Sequence, residues 1–157
     1  MQKISTCLWF DNNGEEAVNF YTSIFRNSRV GEILRYGPGS SVPEGTVLTI
    51  TYYLEGQEFI ILNGGPGFKF TEATSMFVKC KDQAEVDEYW NKLLQGGQEQ
   101  QCGWLKDKFG LCWQIIPTIL TDMLQDKDPA KAQRVMQAMM KMVKIDISKL
   151  KEAYKKK

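Results

Sequence analysis

The chain has 157 residues, 43% of them hydrophobic and 25% charged, with a formal net charge of +1. That balance belongs to an ordinary globule of one domain or two fused half-domains, not to a disordered or fibrous chain. No apolar run approaches the ~20 residues a membrane helix requires. The opening residues hold no apolar stretch ending in a small-residue cleavage site, so a cytoplasmic protein is expected.

There is no histidine. The commonest general base and the commonest metal ligand are therefore both missing. Cys7, Cys80, Cys102 and Cys112 show no C-x-x-C spacing. Three of them fall in predicted strands, where a thiol usually packs as a small hydrophobe.

In chain order, residues 3–10 read as a strand, being apolar with β-branched and aromatic members. Residues 13–25 then read as a helix, with Ala17, Phe20, Tyr21, Ile24 and Phe25 on one face at helical spacing. Residues 32–36 form a short strand, residues 37–45 a glycine- and proline-rich loop, and residues 47–54 an alternating strand. A tight turn at Glu55, Gly56 and Gln57 leads into a strand at 58–62, so the first half is βαβββ.

After NGGPG at 63–67 the pattern begins again, with a strand at 74–81 and a helix at 82–94 whose face carries Val86, Tyr89, Trp90, Leu93 and Leu94. These apolar positions lie 69 residues after those of the first helix, as do the cap candidates Asn13 and Asp82 and the early acids Glu16 and Glu85. The offset continues into the strands, aligning Thr6, Cys7 and Leu8 with Ser75, Met76 and Phe77. Residues 99–105 and 111–117 are two further strands, and one short strand of this half has no clear place.

The remainder, 118–157, is predicted helical. Thr118 to Leu124 gives one or two turns, Asp128 caps a helix opened by Pro129, and Ile147 to Tyr154 forms the last. Ala132, Val135, Met136, Met139 and Val143 make a packing stripe. This tail holds ten Lys or Arg against five acids. Its lysines alternate with apolar residues at helical spacing, which reads as a solvated face and not as a nucleic-acid or membrane footprint.

Three strings carry a family likeness: FDNNGEEAVNFYTSIF at 10–25, LNGGPGF at 62–68 and DKFGLCWQIIP at 107–117. They resemble the PhnB-like branch of the vicinal oxygen chelate superfamily, which groups glyoxalase, bleomycin-resistance and extradiol dioxygenase proteins. The branch carries the label 3-demethylubiquinone 3-methyltransferase-like. The tail, from Asp128 and Pro129 through Arg134 to Tyr154, also resembles it.

The resemblance implies an α+β fold of two βαβββ modules forming a cupped, eight-stranded mixed sheet. The domain would span 1–117, with modules at about 1–65 and 72–117, followed by a helical extension at 118–157. It also implies a homodimer. In metal-using members, four ligands converge in the cup, one from the first and one from the last strand of each module.

Transferred residue by residue, those positions fall at Ser5 or Thr6, at Thr74 or Ser75, near Leu62 or Asn63, and at Gln114. None is an acid, a histidine or a cysteine, and neutral oxygens seldom hold a transition metal unaided. Glu58 is the nearest acid, ~13 Å of extended chain from Leu62. No metal and no cofactor is expected. The candidate ligand-binding residues are Ser5, Thr6, Asn63, Ser75, Trp104, Trp113 and Gln114, with Trp9 and Tyr52 nearby in sequence.

The expected function is binding of a small, partly aromatic molecule by a metal-free homodimer with no nucleic-acid or membrane partner. The alternatives are a metal-dependent glyoxalase- or dioxygenase-type enzyme and the methyltransferase of the family label. A methyl donor normally sits where a glycine-rich turn opens a helix, and neither glycine-rich turn here is followed by a helical pattern.

Overall fold

A computed structural model describes residues 2–156. The chain divides between Lys69 and Phe70 into two compact units. The first contains β1 (Thr6–Phe10), α1 (Gly14–Ile24), β2 (Ser28–Arg35), β3 (Val47–Leu54) and β4 (Gln57–Asn63). The second contains β5 (Ser75–Cys80), α2 (Gln83–Leu93), β6 (Gln98–Glu99), β7 (Trp104–Lys106) and β8 (Cys112–Pro117). Helices α3 (Thr118–Leu124), α4 (Pro129–Met139) and α5 (Ile147–Lys155) complete it.

Each unit forms a four-stranded mixed sheet, ordered β1-β4-β3-β2 in the first and β5-β8-β7-β6 in the second. In each, the first strand runs parallel to the last and the other pairings are antiparallel. The predicted βαβββ repeat is therefore present twice, followed by the helical tail.

In the first unit, α1 buries Ala17, Val18, Tyr21 and Ile24. The strands answer with Leu8, Phe10, Ile50, Tyr52, Phe59 and Ile61, all buried. Tyr52 stacks between Tyr21 and Phe59, with ring centroids 6.4 and 5.3 Å away. Each such side chain contributes roughly 1.5–3 kcal/mol on leaving water. The start of α1 lies so close to the sheet that a Cβ on Gly14 would collide with Ile61 and Asn63. Glycine is required there by contact and not by backbone angle.

The two helix starts differ. Asp82 caps α2 as predicted, accepting the Glu85 N–H at 2.9 Å, while the Glu85 carboxylate accepts the Lys81 N–H at 2.7 Å. Asn13 makes no such bond, and its Oδ1 is buried without a partner. The Gly14 N–H donates instead to Asn63 Oδ1 at 2.9 Å.

Register corrects two further expectations. The strand expected at 99–105 is two strands separated by a turn in which Cys102 has φ of 60°. The N–H groups of Cys102 and Gly103 are taken by the carbonyls of Met142 and Val143, so the tail itself interrupts the ladder. The offset of 69 also holds in the helices but slips by one in the strands. Two residues, Asp11 and Asn12, separate Phe10 from Asn13, whereas only Lys81 separates Cys80 from Asp82. Leu8 is consequently buried, whereas Phe77, aligned with it in sequence, is 50% exposed. The strand counterparts are Ser5 with Ser75 and Leu8 with Val78.

The tail packs on the second unit through Ile116, Leu120, Met123, Val135, Met142, Ile145 and Leu150. Gln83 of α2 fastens it, donating to the Ile145 carbonyl at 3.0 Å and accepting the Ile147 N–H at 2.8 Å. Met136 is exposed, and Val143 lies beyond the end of α4, so the predicted stripe is only partly a packing face. The cysteines divide: Cys80 and Cys112 are buried, as expected of small hydrophobes, while Cys7 is exposed. Among the described residues, no helix is long and apolar enough to cross a membrane.

Candidate functional site

A strand shows its side chains to opposite faces in turn, so register decides which polar groups meet. In the second unit, Met76, Val78, Leu105, Trp113 and Ile115 share one face with the buried side of α2, formed by Val86, Trp90 and Leu93. The opposite face holds Ser75, Phe77, Trp104, Lys106 and Gln114. Gln114 pairs with Phe77 on one side and Trp104 on the other, giving a cross-strand row of aromatic, amide and aromatic side chains. The Gln114 Nε2 donates to Ser75 Oγ at 2.9 Å, which steadies the amide between the two rings. Lys106 and Glu72 form an ion pair beside this row, and Gln100 Nε2 donates to the Glu72 carboxylate at 3.2 Å.

In the first unit, the face turned from α1 holds a second polar row. Arg29, Tyr53 and Glu58 lie opposite one another on β2, β3 and β4, with Ser5 at the near end of β1. Glu58 accepts from the Ser5 hydroxyl and, at 2.7 Å, from the Tyr53 hydroxyl. The Arg29 guanidinium lies over the Tyr53 ring, 3.7 Å from its centroid.

Hydrogen bonds from Ser5 and then Tyr53 hold the Glu58 carboxyl below its ordinary range, and the bond to Glu58 raises the Tyr53 phenol. Lys106 lowers Glu72 in the same way. A carboxyl with a lowered folded value stabilises the fold above its unfolded value and loses that contribution as pH falls through the folded one. Stability should accordingly drop on acidification below the ordinary glutamate range. Glu58→Gln should flatten that drop in acid denaturation followed by circular dichroism.

Of the residues singled out from sequence, Ser5, Ser75, Trp104 and Gln114 lie on these helix-free faces. Thr6, Asn63 and Trp113 do not. Thr6 alternates with Leu8 and Phe10 on the covered face. Asn63 is 1% exposed and spends its amide on Gly14, Glu15 and Val47. Trp113 is buried, its indole N–H donating to Asp107 at 2.9 Å. Tyr52 also faces α1.

Sequence reasoning passed over Phe77, Arg29 and Tyr53, and set Glu58 aside. A signal for one pair was present. The two-residue turn at Glu55 and Gly56 places Tyr53 opposite Glu58 across the hairpin.

The residues do not fit a chelated cation. Ser5 is committed to Glu58, Ser75 to Gln114, and Asn63 is turned into the core. Register also puts the apolar Ile60, and neither Leu62 nor Asn63, at the place corresponding to Gln114. Among the described residues, no three His, Cys, Asp or Glu side chains converge.

The turn at 63–67 has a packing reason. The Trp9 indole lies where a Cβ on Gly64 would stand, donates to the Gly65 carbonyl at 2.8 Å, and meets Phe68 edge-on at 4.8 Å. No helix follows this turn before β5.

The two βαβββ sheets, each with its first and last strands parallel at one edge of the order, define a protein of the vicinal oxygen chelate fold. The family model for 3-demethylubiquinone-9 3-methyltransferase matches residues 2–116, and the chain belongs to that family. The match ends before α3 and leaves the C-terminal helices outside it.

Among solved structures, the PhnB protein from Bacillus cereus, a candidate 3-demethylubiquinone-9 3-methyltransferase, is 39% identical. The alignment covers 74% of this chain and 99% of that one, with a TM-score of 0.67. Protein PA1353 from Pseudomonas aeruginosa is 19% identical over 74% of this chain and 98% of that one, at a TM-score of 0.61, a likeness of fold alone. No curated protein sequence matches the chain.

Proposed function

We propose that this protein is a metal-free, homodimeric cytoplasmic binder of a small, partly aromatic molecule. The observation that carries the reading is the row Trp104–Gln114–Phe77: a fixed amide between two aromatic side chains, one of them half exposed. An aromatic ring gains from stacking against such neighbours. The Gln114 carbonyl oxygen and the Ser75 hydroxyl offer neutral hydrogen bonds to its substituents. Small-molecule sites commonly join an apolar wall to a few placed polar groups.

Among the described residues no glycine-rich turn opens a helix to receive a methyl donor, the lone Gly14 at the start of α1 being packed against Ile61 and Asn63, so the family label is not adopted as the activity. Binding of aromatic compounds, followed by quenching of tryptophan fluorescence, should persist in the presence of chelator. Gln114→Leu should weaken it by about tenfold, the ~1–1.5 kcal/mol of one lost hydrogen bond. Stoichiometric metal in the purified protein, with binding abolished by chelator, would overturn the proposal.

A further inference from the structure

The polar row of the first unit borders a surface hollow of about 490 Å³ lined by Gln2, Asn27, Arg29, Tyr53, Gly56 and Glu58. Its two charges are of opposite sign and held in place by their neighbours. The Tyr53 ring supports the face of the Arg29 guanidinium, a stacking that leaves the edge of a guanidinium, where its N–H groups lie, able to grip a carboxylate. Glu58 accepts one hydroxyl on each oxygen, yet a carboxylate has about four acceptor positions. Capacity therefore remains for an ammonium. Tyr53 stands between the two charges, and adjacent strands lie ~4.8 Å apart, so Arg29 and Glu58 spring from backbones about 10 Å apart and reach over one ring.

We propose that this hollow binds a small zwitterion, its carboxylate on Arg29 and its ammonium on Glu58, the simplest such ligand being a free α-amino acid. The residues of this site all belong to the first unit, and the proposal does not depend on the function of the aromatic row. A ligand bearing one charge engages only one of the two side chains. A zwitterion satisfies both and brings no net charge into the hollow.

The test is a titration of the full chain with L-leucine, N-acetyl-L-leucine and L-leucine amide, followed by the NMR signals of Tyr53. L-Leucine is expected to bind at least tenfold more tightly than either singly charged analogue. Arg29→Gln should bring leucine and its amide to equal affinity, and Glu58→Gln should do the same for leucine and its N-acetyl form. Both substitutions are at the surface; in Glu58→Gln the amide oxygen accepts one of the two hydroxyls and the amide nitrogen can donate to the oxygen of the other. Equal binding of all three compounds, no change at Tyr53, or a preference for leucine over its amide that survives Arg29→Gln would each overturn the proposal.

Discussion

Asn63→Leu is expected to remove about 4 kcal/mol of stability, a large share of what a domain of this size possesses. The two side chains have the same branching and number of heavy atoms, so lost packing is a minor part of the effect. Asn63 Oδ1 accepts the first N–H of α1, and its Nδ2 donates to the Val47 carbonyl at 3.1 Å and to Glu15 at 2.9 Å. Leucine strands the first two groups away from water, and each buried unpaired group costs ~1–3 kcal/mol. Urea unfolding should show the midpoint falling with the slope unchanged, the mark of a native-state loss. Asn63→Asp keeps the acceptor for Gly14 but places a carboxylate against Glu15 and Val47, so it should rescue little. A loss under about 1 kcal/mol for the leucine variant would mean that these bonds do not anchor α1.

Asp107→Ala is expected to cost about 3 kcal/mol in the second unit. The carboxylate is 3% exposed and organises the turn between β7 and β8. Its Oδ1 accepts the N–H groups of Phe109 and Leu111 at 2.8 and 3.1 Å, and its Oδ2 accepts the Trp113 indole at 2.9 Å. Alanine leaves all three donors unmatched, and bonds to a charged acceptor are worth ~1.5–3 kcal/mol each before the turn relaxes and water enters. Asp107→Asn separates the two roles. One amide oxygen can still serve the two backbone donors, but the amide nitrogen would face the indole N–H, donor against donor. That variant should lose about half as much stability in denaturant unfolding and shift the tryptophan emission. An unshifted emission in both variants would show that Trp113 does not depend on Asp107.

Both sites show where sequence reasoning stops. DKFG reads as a turn, yet nothing local says that its aspartate reaches six residues on to a tryptophan. Trp113 and Gln114 were both candidates for the pocket, and adjacency in a strand guarantees that they point to opposite faces. Asn63 sits in a glycine-rich string where a polar residue suggests an exposed loop or a ligand. Its actual partner is the helix that begins 49 residues earlier. The candidate site was legible in part. Ser5, Ser75, Trp104 and Gln114 lie on the helix-free faces, whereas Phe77, Arg29, Tyr53 and Glu58 emerged only once strand partners were known.

By itself the sequence determined the type and order of the elements outside residues 98–106, the duplication, and the cap on α2. These depend on periods of 3.6 and 2 and on contacts within one turn, which the covalent chain imposes wherever it lies. Tertiary structure alone decided which face each strand presents, how α1 is capped, and why one predicted strand is cut in two. A single extra residue in the loop before α1 inverts the alignment of the strands while the helices still match. The interrupting carbonyls of Met142 and Val143 come from chain 40 residues beyond the turn they bind. Such outcomes depend on loop lengths and distant partners, and no window of sequence contains both members of the contact.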